Sequence, residues 1–119
     1  MGQNDVIYDK EDQLRKIQQH LLPGEGLIAV FDLKGAGTGF IGITEKRLIF
    51  LDKAFLRNRK AMVTIPYSKI TSIASGDEEG LVFKSSELTV VVGSHSYEFE
   101  FRGADKARKA YEFIVPRIL

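Results

Sequence analysis

The stretch Gly39–Asp52, GFIGITEKRLIFLD, constrains the fold of this chain more than any other. Two apolar runs, Phe40–Ile43 and Leu48–Leu51, flank the polar centre Thr44-Glu45-Lys46-Arg47. Runs this short, rich in β-branched and aromatic residues and joined by so few polar ones, read as a buried β-hairpin. With Glu45-Lys46 as a two-residue loop, Ile43 faces Leu48, Gly42 faces Ile49 and Ile41 faces Phe50. One face then carries Ile41, Ile43, Leu48 and Phe50, as a core face should. The other carries Phe40, Gly42, Thr44, Arg47, Ile49 and Leu51, which is too apolar for open solvent. Neither loop residue is Gly or Asn, so a type I turn with a bulge is the alternative to a tight primed turn.

A hairpin that is apolar on both faces needs cover on both, and its neighbours supply candidates. Upstream, Asp9–Leu22 reads as a helix, with Asp9 as N-cap and Glu11 and Asp12 in the first turn, where the helix dipole favours carboxylates. Its apolar seam, Ile7, Leu14, Ile17 and Leu21, is narrow, and Pro23-Gly24 stops it. From Leu27 the period becomes that of strands. Leu27–Leu33, the hairpin, Ala61–Ile65, Ile70–Ala74, Leu81–Phe83, Leu88–Val92 and Tyr97–Phe101 follow in turn. In the last of these Tyr97, Phe99 and Phe101 alternate with Glu98, Glu100 and Arg102, giving one core face and one wet face. Pro66 ends the Ala61–Ile65 strand, and Tyr67-Ser68-Lys69 makes a single turn. A terminal helix, Ala104–Leu119, carries the stripe Ala107, Ala110, Tyr111, Ile114 and Ile118, with Pro116 opposite it. The order is one helix, about seven short antiparallel strands and one closing helix. It predicts a mainly β fold with helices: a bent antiparallel sheet or partly open barrel capped by the C-terminal helix.

Three stretches, in order, carry a resemblance. Leu22-Pro-Gly-Glu25, then Gly42-Ile-Thr-Glu-Lys-Arg-Leu-Ile-Phe50, then Ile65-Pro-Tyr-Ser-Lys-Ile-Thr-Ser-Ile73 resemble the bacterial pleckstrin-homology (PH) domains. The resemblance implies a PH-like fold of two sheets capped by the terminal helix over residues 23–119, with residues 1–22 as an N-terminal helical extension outside the family pattern. It also implies a non-enzymatic binding or assembly module without cofactors, in a family where several members look like ring-forming homo-oligomers.

Composition narrows function further. At 119 residues the chain suits one domain, and a net charge of +1 gives no global case for nucleic acid. The absence of cysteine removes disulfides, thiolate metal sites and cysteine nucleophiles, and is compatible with the cytoplasm. The polar, acidic N-terminus is not a secretory signal, and no apolar run reaches the roughly 20 residues of a membrane span.

The remaining motifs sort by the chemistry they lack or hold. The Gly35-Ala-Gly-Thr-Gly39 loop precedes a strand rather than a helix, so it lacks the amides that cradle a phosphate, and Lys34 is its one cation. His20 and His95 have no second ligand at useful spacing, and Asp77-Glu78-Glu79 lacks the alternating oxygens of a calcium loop, so no metal is expected. No serine sits in a nucleophile elbow, and no catalytic residue is expected.

Two surfaces remain. Phe40, Ile49 and Leu51, with Leu14 and Ile17 of the first helix, form the expected protein or oligomer interface, a contact between subunits being favoured over cover by the chain's own helix. Lys53, Arg57, Arg59 and Lys60 around Phe55 and Leu56 form the candidate contact for an anionic membrane surface. The expected protein is thus a homo-oligomer, ring-like by the resemblance, or a binder of another protein, in the cytoplasm and peripheral to the membrane if the basic loop engages lipid.

Overall fold

The structure, a computed structural model, describes residues 5–34, 39–52, 62–75 and 86–119. Its elements in chain order are β1 (Ile7–Tyr8), α1 (Glu11–Gln18), β2 (Leu27–Asp32), β3 (Gly39–Thr44), β4 (Arg47–Asp52), β5 (Met62–Pro66), a 3-10 turn (Tyr67–Lys69), β6 (Ser72–Ser75), β7 (Glu87–Val92), β8 (His95–Glu100) and α2 (Ala104–Ile118). Strands β1 to β5 form one sheet in that order and β6 to β8 a second. The sheets meet where Leu33 bridges Phe101, and they do not close into a barrel. The expected strand Leu81–Phe83 lies outside the described residues.

The central hairpin has the expected register: Ile43 faces Leu48, Gly42 faces Ile49 and Ile41 faces Phe50. Its turn is not a primed one. Among the described residues no non-glycine has a positive φ, so Glu45 and Lys46 both keep negative φ. The turn is held instead by the Thr44 hydroxyl, which accepts the amides of Lys46 at 3.0 Å and Arg47 at 2.9 Å. The β7–β8 connection solves the same problem with glycine. Val92 faces His95 across a two-residue loop, and Gly93 at φ 62° supplies the left-handed residue a tight hairpin needs.

Two cores lie on opposite faces of the five-stranded sheet. The larger packs Phe31, Ile41, Ile43 and Leu48 against Leu88, Val90, Phe99 and Phe101 of the second sheet, with Ala107, Ala110 and Ile114 of α2 closing the end. Edge-to-face ring pairs tie the sheets together, Phe31 with Phe101 at 5.6 Å and Phe50 with Phe99 at 5.1 Å. The terminal helix buries Ala107, Ala110 and Ile114 of the expected stripe, leaves Ile118 half-buried and exposes Tyr111. It runs through Pro116 to Ile118, and the Arg117 guanidinium donates to the Phe113 carbonyl at 2.8 Å.

The second core settles what covers the outer hairpin face. Phe40, Ile49 and Leu51 pack with Val6, Ile17, Leu27 and Val30, with Leu14 and Leu21 at the margin, all within one chain. The expected intersubunit interface at Phe40, Ile49, Leu51, Leu14 and Ile17 is therefore corrected. The first helix of the same molecule takes that face, and Ile17 is fully buried on it. Burying Ile17 contributes roughly 2 kcal/mol. The fit depends on Gly42, where an added Cβ would come within 2.9 Å of the Ile17 side chain.

That helix is also shorter than its sequence pattern. It spans Glu11–Gln18, Ile7 belongs to β1 rather than the seam, and Lys10, not Asp9, is the N-cap, without a side-chain cap bond. Asp9 is diverted because its carboxylate receives the Asp32 amide at 2.9 Å and the Lys106 ammonium. Tertiary partners outcompete a local cap worth about 1 kcal/mol.

Gly42→Ala should lower the unfolding free energy by about 1–3 kcal/mol through overpacking against Ile17. In urea titrations the companion change Ile17→Val should cost less in the Gly42→Ala background than in the wild type, because the two side chains compete for one space.

Candidate functional site

Two charged clusters, one at each end of β2, hold the molecule's polar interior. At the first end Glu25 is buried. Its carboxylate accepts the Leu22 amide at 3.0 Å, the Thr44 hydroxyl at 2.8 Å, and Arg47 Nε and Nη2 at 2.8 and 3.0 Å. Arg47 also donates to the His20 carbonyl at 2.9 Å and to Thr64 Oγ1 at 3.1 Å. The Arg47 guanidinium, aided by the Leu22 amide and the Thr44 hydroxyl, overcomes burial and pulls the Glu25 pKa down to about 2. Tyr67 donates to the Thr44 carbonyl at 2.5 Å, and burial pushes its phenol well above the usual range, so it remains a donor. Leu22, Glu25, Thr44, Arg47 and Tyr67 come from the three motifs that carry the family resemblance, and His20 and Thr64 lie just outside them. Every polar group named here faces another protein group, so the cluster is a structural clamp.

At the other end Asp32 accepts Gln13 Nε2 at 2.7 Å and Arg102 Nε at 2.9 Å, with Lys10 Nζ at 3.5 Å. Burial opposes its ionisation, but Gln13, Arg102 and Lys10 together hold its pKa below the usual carboxylate range. Next to it Asp9 pairs with Lys106 of α2, while Gln13 Oε1 is buried without a partner among the described residues. The sequence reading missed this cluster. Its signal was Asp32 itself, a carboxylate at the end of the otherwise apolar run LIAVFD. Here too charge is matched by charge.

The accessible apolar surface lies elsewhere. β1 is an edge strand, paired in parallel with β2 on one side only among the described residues, and it exposes both Ile7 and Tyr8. Beside this edge lies a cleft of about 420 Å³ lined by Ile7, Leu27, Ile28 and Phe113 together with Asp5 and Glu45. Further along the chain Asp9, just after β1, pairs with Lys106 of α2.

The other sequence candidates are scattered. Lys53, Phe55, Leu56, Arg57, Arg59 and Lys60 lie outside the described residues, as do positions 35–38 of the glycine-rich loop and Asp77-Glu78-Glu79. His95 sits beside the Tyr97 ring at 5.3 Å, and His20 serves through its backbone carbonyl. Among the described residues no three His, Asp or Glu side chains converge on a metal-sized site. Glu98 is exposed, and Glu100 lies 3.7 Å from Lys34.

Residues 21–115 match the family model described as Bacterial PH domain. The chain belongs to the bacterial PH domain family. PH domains are in general non-enzymatic modules, and this family match begins at residue 21, so β1 and α1 precede it. The chain is similar to the uncharacterized protein YozO of Bacillus subtilis (strain 168), 30% identical over 87 residues that cover 73% of each protein. Its fold is similar to that of a DUF1696 family protein with a pleckstrin-homology domain from Shewanella loihica PV-4, with a TM-score of 0.66, 20% identity, and coverage of 93% of this chain and 95% of that one. It is also similar to a pleckstrin homology domain from Shewanella amazonensis SB2B, with a TM-score of 0.63, 16% identity, and coverage of 90% and 99%.

The clamp makes stability dependent on pH in a defined direction. The folded Glu25 pKa lies below its ordinary value of 4.5, so the carboxylate stabilises the fold above that pH, and the contribution is lost as pH falls from 4.5 towards about 2. Denaturant titrations should show wild type losing on the order of 3 kcal/mol over that window. Glu25→Gln should be less stable at pH 7 and flatter across the same window.

Proposed function

We propose that this bacterial PH domain is a non-enzymatic homo-oligomeric scaffold or protein-interaction module. The observation behind the reading is the distribution of apolar surface. The outer hairpin face is already occupied by α1, while the β1 edge is left with Ile7 and Tyr8 exposed beside an apolar cleft. An unpaired strand edge with exposed apolar side chains is a surface that proteins cover or use. Covering it with a second copy gives a scaffold, closed into a ring if the contact is head-to-tail and its rotation closes. Covering it with another protein gives an adaptor. Both belong in the cytoplasm.

Light scattering coupled to size exclusion should show a species larger than the monomer that grows with concentration. A monomer throughout, even at high concentration, rules out the scaffold.

The alternative partner is an anionic membrane, met through Lys53, Phe55, Leu56, Arg57, Arg59 and Lys60. Among the described residues no helix is long and apolar enough to cross a membrane, so such contact would be peripheral. Four cations at about 1 kcal/mol each give weak binding from one copy, which an oligomer would strengthen by avidity. Sedimentation with phosphatidylserine vesicles should then fall on Arg57→Glu/Arg59→Glu. Equal sedimentation of both proteins excludes the loop as the lipid contact.

A further inference from the structure

We infer that the open edge of β1 and the cleft beside it take an extended segment of another protein, one whose large apolar residues are flanked by Lys or Arg. The inference deepens the protein-interaction reading and rests on it.

The backbone supplies half of the site. β1 pairs in parallel with β2, Ile7 facing Ala29 and Tyr8 facing Val30, and the Asp9 amide donates to the Val30 carbonyl at 3.2 Å. In a parallel ladder alternate residues bond the same neighbour, so Ile7 and Asp9 turn their amides to β2. The Tyr8 amide and carbonyl therefore point the other way, and among the described residues no strand takes them. An extended peptide laid along this edge would satisfy both groups, as strand addition does in peptide-binding domains. Successive side chains of that peptide go to opposite faces, so every second one falls on the Ile7 side, where the cleft lies.

The cleft supplies the preference for a sequence. Ile7, Leu27, Ile28 and Phe113 give it an apolar lining suited to large apolar side chains. Asp5 and Glu45 line it too, both are exposed, and among the described residues neither carboxylate has a hydrogen bond or ion pair. Glu45 folds over Gly26, where an added Cβ would come within 2.7 Å of its carboxyl carbon. Two unengaged carboxylates beside an apolar lining favour cations next to the apolar side chains, and complementary charge sets both partner and direction. A second copy meets this demand poorly. Two molecules joined edge to edge would offer each cleft only Lys10 from residues 5–10, and Asp32 already holds that ammonium at 3.5 Å. The occupant is therefore a segment of a different protein. The contact is small, so binding should be weak and should fall with added salt.

The probe is a library of random heptapeptides displayed on phage. Peptides selected on the wild-type chain should carry a large apolar residue and an excess of Lys and Arg. Asp5→Lys/Glu45→Lys should select acidic peptides from the same library, a gain that an unfolded variant could not show. By fluorescence anisotropy, a synthetic copy of the strongest peptide should bind that variant about tenfold more weakly than wild type. Tyr8→Pro removes the outward amide without removing a bond to β2, and should weaken the same peptide about fivefold. Tyr8→Ala, which keeps the amide, should weaken it less. Neutral or acidic peptides from wild type, an unchanged preference after charge reversal, or full binding by Tyr8→Pro each overturn the inference and leave the protein-interaction reading to another surface. Loss of wild-type self-association on either change also overturns it, since a second copy would then be the occupant. If no peptide is selected above background the inference is overturned, and the wider reading falls with it only where light scattering shows a monomer throughout.

Discussion

The pairing of Glu25 with Arg47 is the interaction on which the rest of this structure depends. A carboxylate with almost no solvent contact would be costly alone, because burial disfavours its charged form. Here a guanidinium meets it through two donors, and an amide and a hydroxyl complete its coordination. Those donors come from the turn before β2 and from the turn between β3 and β4, and Arg47 reaches on to β5 and to the start of the segment after α1. One charged pair therefore fixes the order of strands at that end of the sheet and the path of the chain into it.

The Asp32 cluster does the corresponding work at the other end of β2. Together the clusters explain how so short a helix as α1 stays in place. An eight-residue helix has little stability of its own. Gln13 and Lys10 tie its start to Asp32, the His20 carbonyl just beyond its end is held by Arg47, and Ile17 sits between them in the space left by Gly42. Polar contacts fix its direction and position, and one apolar side chain supplies the main burial. The outer sheet face is thereby removed from intermolecular use, and the region beside β1 becomes the place to look for partners.

Much of this was legible in the residues. The hairpin register followed from alternation, since a slip by one residue would have turned Ile41, Ile43, Leu48 and Phe50 away from the core. The Tyr97–Phe101 alternation and the terminal helix followed from the same periodicity argument. The Glu25 and Arg47 motif positions were visible as a resemblance, though their pairing was not, because twenty-two positions separate them. The candidate site was less legible. The cleft is a gap between β1, β2 and α2, and β1 is two residues long, too short to show any period.

The sequence by itself determined which residues must be buried and in what local form: a two-faced hairpin, a run of short strands and an amphipathic closing helix. Those follow from side-chain chemistry repeating at 2 or 3.6 residues, a property of neighbours along the chain. Only the tertiary structure decided what covers each face. Asp9 could cap its own helix or bind Lys106, and Phe40, Ile49 and Leu51 could meet another subunit or Ile17. Each choice was made by groups distant in sequence, through the geometry of a carboxylate between a strand and a helix and the space over one glycine. The Gly39–Asp52 hairpin announced that it needed two partners, and packing chose this chain's own helix as the second.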